Sequence, residues 1–259
     1  MSGSNFEMPF LDHLEELRQR LFWMAAAVVL GVIAAFVLLS KLDIIRLLER
    51  PILPYLNGHN LIYTHPGTSF SILLNASLVL GIILASPVIV IQLWKFMSPA
   101  LYPHEKKVVI PVLIGMVVLF LAGIALAYFI VLPLTLGFLM SIESTALTPM
   151  ISATEYFDFA IAMCLASGVV FEVPIAVLFL TALGLVTPAF LHKYRRHAIV
   201  ICLIAAAFIT PGGDPYSLMA LAIPLYLLFE LSVVVSHIAF RKRLKRKAAA
   251  EAEMEEAVA

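Results

Sequence analysis

The sequence predicts an all-α membrane protein with six transmembrane helices, and two observations lead to this prediction. Hydrophobic residues make up 62% of the 259 residues and charged residues only 13%, whereas about a quarter of a soluble domain is charged. Six apolar runs also follow one another along the chain. A helix of about 20 apolar residues crosses the ~30 Å hydrocarbon core of a bilayer.

The first four runs are long enough to span a membrane. They cover residues 21–40, 70–97, 107–140 and 156–185. The second, third and fourth exceed the minimum length, which predicts tilted or kinked helices. Pro87, Pro133 and Pro174 lie within them and are the expected kink positions.

The last two helices are predicted to be short. The fifth run, 197–210, covers only ~21 Å as a helix, so a re-entrant segment is the alternative to a short span. We predict a span, because the sequence PGGDP at 211–215 can form a tight turn to the sixth run, 216–240. The bilayer would then thin locally beside these helices.

Residues 1–240 therefore form a single six-helix transmembrane domain. Residues 241–259 form a basic and then acidic tail, predicted to be disordered or a fraying helix.

The positions of Lys and Arg predict the orientation. These residues precede the first run, border the second and fourth connections and follow the last run, while only Lys41, Arg46 and Arg50 fall on the opposite side. Both termini are therefore expected in the cytoplasm, and the loops at 41–69, 141–155 and 211–215 are expected outside.

Composition and motifs exclude several classes of function. A net charge of zero gives no support for nucleic-acid binding. The two cysteines, Cys164 and Cys202, lie in apolar runs without metal-ligand spacing, so neither a disulfide framework nor a metal is expected. Motifs for nucleotide binding, zinc proteolysis and nucleophilic hydrolysis are absent, so no motif supports an enzyme or a cofactor, and we expect neither.

Two charged segments lie on the predicted cytoplasmic side. The stretch PFLDHLEELRQRL reads as a short amphipathic helix in which Glu16 and Arg20 form a favourable i,i+4 pair. Its simplest interpretation is a membrane-surface helix with a solvated face. The second segment, WKFMSPALYPHEKK, carries aromatic residues typical of the interface and one acid, Glu105. That acid is either part of a local ion pair or a contact for a cationic partner.

Two acids fall inside predicted spans. Glu172 lies near the middle of the fourth span, where a charged side chain costs about 2.5–3.5 kcal/mol and must face protein, water or a partner. A structural hydrogen bond, a proton carrier and a docking point all remain open for it. Glu230, in the sixth span, lies closer to the cytoplasm and is the weaker candidate.

Several separate motifs resemble the TatC family of twin-arginine translocase components. They are HLEELRQRL at 13–21, ERPILPYL at 49–56, SPALYPHEKK at 98–107, FEVPI at 171–175, TP at 210–211 followed by Asp214, and AIPLYLLFE at 222–230. The resemblance covers residues 9 to 240 and implies the same six-helix plan. An acid that the family often has before the fourth helix is replaced by Ser152, and Glu155 or Asp158 is the candidate substitute.

The resemblance implies a receptor that binds twin-arginine signal peptides of folded proteins at the cytoplasmic face of a bacterial inner membrane. It also implies assembly with TatA- and TatB-like single-span proteins, export driven by the proton gradient, and leaves self-association open. The implied signal-peptide residues are Glu16, Arg18, Phe96 and Glu105, and Glu172 would contact a partner helix. Secondary candidates are Glu15, Arg20, Pro51, Asp214 and Glu230. The alternative function is a proton-coupled small-solute transporter that uses Glu172.

Overall fold

The computed structural model describes residues 8–41, 44–56, 60–63, 65–97, 106–141, 150–183, 186–210 and 215–258, and nearly all of them are helical. The α-helices are α1 Met8–Lys41, α2 Ile44–Glu49, α3 Thr68–Met97, α4 Lys106–Leu126, α5 Leu132–Ser141, α6 Ala153–Val170, α7 Val173–Leu183, α8 Pro188–Lys193, α9 Arg195–Ile209 and α10 Pro215–Val258. A 3₁₀ helix covers Leu53–Tyr55, and a π-helical turn at Ala127–Val131 joins α4 to α5. The all-α prediction is confirmed.

Five helical stretches among the described residues are long and apolar enough to cross a membrane. They are Leu14–Lys41, Thr68–Phe96, Val112–Ser141, Ala153–Thr181 and Pro215–Ile238, and they match the first four predicted runs and the sixth. The last of them has 24 residues, against 28 to 30 for the others. Helix α9 has 15 residues, or ~22 Å, so a sixth crossing stays a prediction.

The N-terminal amphipathic segment is not a separate short helix, as the sequence suggested, but the first turns of α1. Residues 14–30 contain neither Gly nor Pro, and nothing in this stretch interrupts helical hydrogen bonding. The acidic turn around Glu16 is therefore rigidly continuous with the first span.

Proline acts differently in three spans. In α3 the helix continues through Pro87, and the hydroxyl of Ser86 donates a 2.7 Å hydrogen bond to the Ile83 carbonyl, which has no amide donor at position 87. Pro133 is the second residue of α5 and lies two positions after the end of the π-helical turn. Pro174 cannot donate to the Val170 carbonyl, and the helix ends at Val170 and begins again at Val173.

Glycine lets two pairs of helices approach closely. A Cβ at Gly81 of α3 would lie 2.6 Å from the Val32 backbone of α1, and one at Gly31 would lie 2.5 Å from the Gly81 carbonyl oxygen. Helices α4 and α6 meet in the same way, since a Cβ at Gly123 would lie 2.6 Å from the Ser167 carbonyl oxygen. Small residues at helix crossings are typical of membrane proteins.

The predicted outer connections pack together at one end of the bundle. Residues 44–56, which we call the cap, bury Ile52 and Leu56 in the main hydrophobic cluster. Ile62 and Ser152 form a parallel β-bridge that joins the segments before α3 and α6. Two loops that were predicted to share one face are thus in contact.

Helix α10 continues past the apolar stretch to Val258 and includes the tail. A helix there is one of the two states expected from composition, and disorder of the tail in solution stays a prediction.

Candidate functional site

The acidic turn of α1 carries two ion pairs within the helix. Arg20 donates from Nε to Glu16 Oε1 at 3.1 Å, and its Nη2 contacts the same oxygen. Both side chains are partly buried, with 19% of Arg20 and 33% of Glu16 exposed. The Glu15–Arg18 pair, at 2.9 Å, is largely exposed. The predicted i,i+4 pair is confirmed, and of the two acids Glu16 is the one held in a fixed position.

Helix packing brings Glu16 level with Phe96. Consecutive spans cross a bilayer in opposite directions, so α1 and α3 are antiparallel about their close contact at Gly31 and Gly81. Glu16 precedes Gly31 by 15 residues and Phe96 follows Gly81 by 15 residues. Both therefore lie ~22 Å from the crossing, towards the same end of the molecule.

Two predicted site residues, Glu105 and Asp214, lie outside the described residues. Glu105 is the residue before Lys106, the first of α4. A third candidate, Pro51, is buried in the cap at the other end of the bundle from Glu16. The structure therefore does not bring Pro51 together with the α1 acids.

Glu172 lies in the break between α6 and α7 that Pro174 imposes. Its backbone carbonyl accepts the Ala176 amide at 3.0 Å and so begins α7. Its carboxylate oxygen Oε2 is buried and has no hydrogen-bond partner among the described residues. The structural hydrogen bond that the sequence left open for Glu172 is thus not seen for this oxygen.

Glu230 is held in a network that links α9 to α10. Arg195 Nη2 donates to Glu230 Oε2 at 2.7 Å, and Tyr226 Oη donates to Glu230 Oε1 at 2.9 Å. Arg195, the first residue of α9, lies 14 positions before the end of that helix, and Glu230 lies 15 positions after the start of α10, so the two residues lie at the same level. Glu230, which the sequence places towards the cytoplasmic end of the sixth span, is thus an ion-paired group between two helices.

Sequence reasoning missed the long-range polar contacts. Asn75 Nδ2 donates to Asp158 Oδ1 at 2.9 Å and joins α3 to α6. Tyr156 donates to the Leu48 carbonyl at 2.6 Å, and Tyr128 donates to the Leu47 carbonyl. Spacing along one helix could have indicated the Tyr226–Glu230 pair, but no local signal predicts contacts between residues 80 or more positions apart.

Among the described residues, no group of three or more His, Cys, Asp or Glu side chains could hold a metal ion. The described polar groups relevant to function are therefore of three kinds. They are the charged turn of α1, the carboxylate of Glu172 at the α6–α7 break and the α9–α10 network.

Comparison with known proteins decides the family. Residues 12–224 match the family model for the Sec-independent protein translocase protein (TatC). The chain belongs to the TatC family. It is 41% identical over 238 residues to the Sec-independent protein translocase protein TatC of Aquifex aeolicus, covering 91% of this chain and 98% of that one. It is 36% identical to the TatC of Escherichia coli, with 88% of each chain covered.

Solved structures agree with the TatC assignment. A crystal structure of the twin-arginine translocase receptor TatC superposes with a TM-score of 0.74 and 40% identity, covering 88% of this chain and 99% of that chain. A second, in the detergent DDM, gives a TM-score of 0.75 and 39% identity. This TatC-family chain is therefore a multi-pass protein of the bacterial inner membrane and a protein translocase component, not an enzyme. The small-solute transporter finds no support.

Proposed function

We propose that this chain is the receptor component of a twin-arginine translocase, and that the end of the molecule formed by α1 and α3 binds the signal peptide. The observation that carries the proposal is the alignment of Glu16 with Phe96 at one end of a tightly packed helix pair, in a chain of the TatC family. The two arginines of the peptide require carboxylates, and charge-assisted, often bidentate bonds are the strong form of that contact.

Glu16 and Glu105 are the proposed carboxylates, and Arg18 and Arg20 lie on the same helical turns as Glu16. Arg20 holds Glu16 against the helix with both of its bonds on a single oxygen, Oε1. An incoming guanidinium meets a carboxylate whose rotamer is already fixed, so little side-chain entropy is lost on binding. Phe96 supplies an aromatic face on which a guanidinium can stack.

The test removes both carboxylates and follows the bound peptide. We expect Glu16→Ala combined with Glu105→Ala to reduce crosslinking of a twin-arginine signal peptide to the purified complex by at least tenfold. A matched control, Glu49→Ala with Glu155→Ala, removes the same charge from the cap and from the start of α6. Undiminished crosslinking in the first variant, or equal loss in the control, would contradict the assignment.

Glu172 is the proposed contact for the membrane helix of a TatA- or TatB-like single-span partner. Support comes from its carboxylate oxygen Oε2, which has no partner among the described residues, and from Ala162 and Ala166, two small residues one helical turn apart on α6. Small residues let a second helix approach, and a polar contact within the membrane contributes about 1 kcal/mol.

Substitution at position 172 separates polarity from shape. We expect Glu172→Gln to retain most of the export of a twin-arginine reporter, because the amide oxygen still accepts a hydrogen bond. Glu172→Leu should lower both export and crosslinking to the single-span partner. Equal export by the two variants would rule out a polar role.

The remaining features follow from the receptor function. Both termini lie in the cytoplasm, the signal peptide approaches from that side, and the proton gradient drives export of the folded protein after the single-span partners assemble. Self-association of the receptor is compatible with this proposal, and nucleic acid has no part in it.

A further inference from the structure

A polar seam runs between α10 and the α8–α9 corner, and we define it by Tyr226, Glu230, His237 and Arg241. These four residues recur at intervals of four, seven and four positions, so they lie along one face of α10. Glu230 meets Arg195 at 2.7 Å, and the His237 ring lies 5.9 Å from the His192 ring of α8. The seam therefore faces α8 and the start of α9.

The seam and the α8–α9 corner that it faces together have more positive than negative charge. Glu230 is its one acid in the described part of the chain, and both of its oxygens are occupied, one by Arg195 and one by Tyr226. Lys193, Arg195, Arg196 and Arg241 supply four positive charges, so the sum with Glu230 is +3.

The excess charge has no counter-ion in the described part of the protein. Lys193, Arg196 and Arg241 are exposed and form no ion pair with a described residue. Lys193 Nζ instead lies 5.9 Å above the Tyr194 ring. The Nε of Arg195 is buried and has no hydrogen-bond partner among the described residues. The exposed cations of the seam and the corner can therefore donate hydrogen bonds to an anion, since no described acidic side chain pairs with them.

The level of the seam in the membrane indicates what kind of anion binds. His237 is next to Ile238, the last residue of the apolar stretch of α10. Phe190 and Tyr194 are exposed at the same corner, with ring centroids 4.6 Å apart, and such aromatic residues are typical of the membrane interface. Below this level α10 exposes Leu231 and Val234, beside which an acyl chain can lie.

We propose that the polar seam binds the phosphate of an anionic phospholipid through Lys193, Arg196 and Arg241. A phospholipid is favoured over a free phosphate because the cations lie directly above exposed apolar side chains of the span. Basic groups between membrane helices at this level bind anionic headgroups, with each Lys or Arg strengthening the attraction about fivefold. The site is independent of the proposed signal-peptide site, which lies on α1 and α3.

The test compares lipids on the purified full-length chain. Native mass spectrometry in detergent, with phosphatidylglycerol or phosphatidylcholine added, measures how many lipids are retained and how tightly. We expect the wild type to prefer phosphatidylglycerol, and K193Q/R196Q/R241Q to bind it roughly 100-fold more weakly. The matched control, K245Q/R246Q/K247Q, removes three charges from the tail beyond the seam and should bind as the wild type does.

Each other outcome overturns the proposal. Equal loss in the tail control would show a general attraction to basic charge, and no lipid preference in the wild type would show that no site exists. Displacement of phosphatidylglycerol by millimolar inorganic phosphate would identify a free-phosphate site instead. If the triple variant does not fold, the single variant Arg196→Gln, with an expected fivefold loss, gives the same comparison.

Discussion

At the scale of single residues, glycine decides how α1 and α3 fit together. The backbones touch at Gly31 and Gly81, where a Cβ would lie 2.5 to 2.6 Å from the facing backbone. A rigid backbone cannot yield by the required ångström, so any side chain at position 81 must separate the helices. Because Glu16 and Phe96 are aligned through this contact, the separation would also disturb the proposed signal-peptide site.

Gly81→Ala tests this packing. We expect the variant to lower the free energy of unfolding by about 1–3 kcal/mol, measured by thermal unfolding in detergent, and to weaken signal-peptide crosslinking. Gly67→Ala is the matched control, since a Cβ at Gly67 has no atom within 4 Å. If the two variants have the same stability, the close crossing is not a feature of the folded protein.

At the scale of elements, hydrogen bonds from tyrosine hydroxyls join the cap to the helix bundle. The last carbonyls of a helix lack intrahelical donors, and in α2 two of them, Leu47 and Leu48, accept from Tyr128 and Tyr156. Tyr55 of the cap donates to the Pro133 carbonyl at 3.4 Å, and Gly137 leaves room for it, because a Cβ there would lie 2.9 Å from the Tyr55 hydroxyl. The π-helical turn contains Tyr128 and so helps to set its direction.

Removing two hydroxyls should loosen the cap. We expect Tyr128→Phe with Tyr156→Phe to leave the Leu48 carbonyl without its donor, at a cost of about 1–3 kcal/mol. The Leu47 carbonyl would keep only the Arg50 amide, which donates to it at 3.2 Å. Hydrogen exchange of residues 44–56 should then become faster, while exchange in α3 stays unchanged. Tyr63→Phe, which removes an exposed hydroxyl that forms no hydrogen bond with a described residue, is the control. Unchanged exchange in the double variant would show that buried Ile52 and Leu56 alone hold the cap.

Hydropathy predicted these elements well because a membrane span requires a long apolar run with internally satisfied hydrogen bonds. The break at Pro174 could also be predicted, since proline removes a hydrogen-bond donor wherever it stands. Which helices pack against each other could not be predicted. Asn75 and Asp158, or Arg195 and Glu230, belong to different runs whose periodicity carries no information about which helices pack together.

For the whole molecule, the number of membrane crossings determines whether the two termini lie on the same side of the membrane. Five helical stretches in the described part of the chain are long enough to span, and α9 is the candidate for a sixth crossing. Arg195 at the start of α9 pairs with Glu230, so α9 runs beside α10 for nearly all of its own length. A full crossing by α9 would place both termini on the same side, as the sequence predicts.

Thiol labelling tests the count of crossings. In a variant without Cys164 and Cys202, a cysteine at Ser2 and another at Ala257 should both react with an impermeant reagent only from the cytoplasmic side. A re-entrant α9 gives five crossings, and the two positions would then react from opposite sides. That result would contradict the six-helix topology.

The central claim is that the α1–α3 end of the molecule receives the two arginines. The most direct measurement is photo-crosslinking from a reactive residue at Phe96 or Glu105 to a signal peptide, with a reactive residue at Ile62 as the control at the opposite end. We predict strong crosslinks from positions 96 and 105 to the twin-arginine peptide, about tenfold fewer when both arginines are lysine, and none from position 62. Crosslinks that are as strong from position 62, or that do not depend on the arginines, would contradict the account.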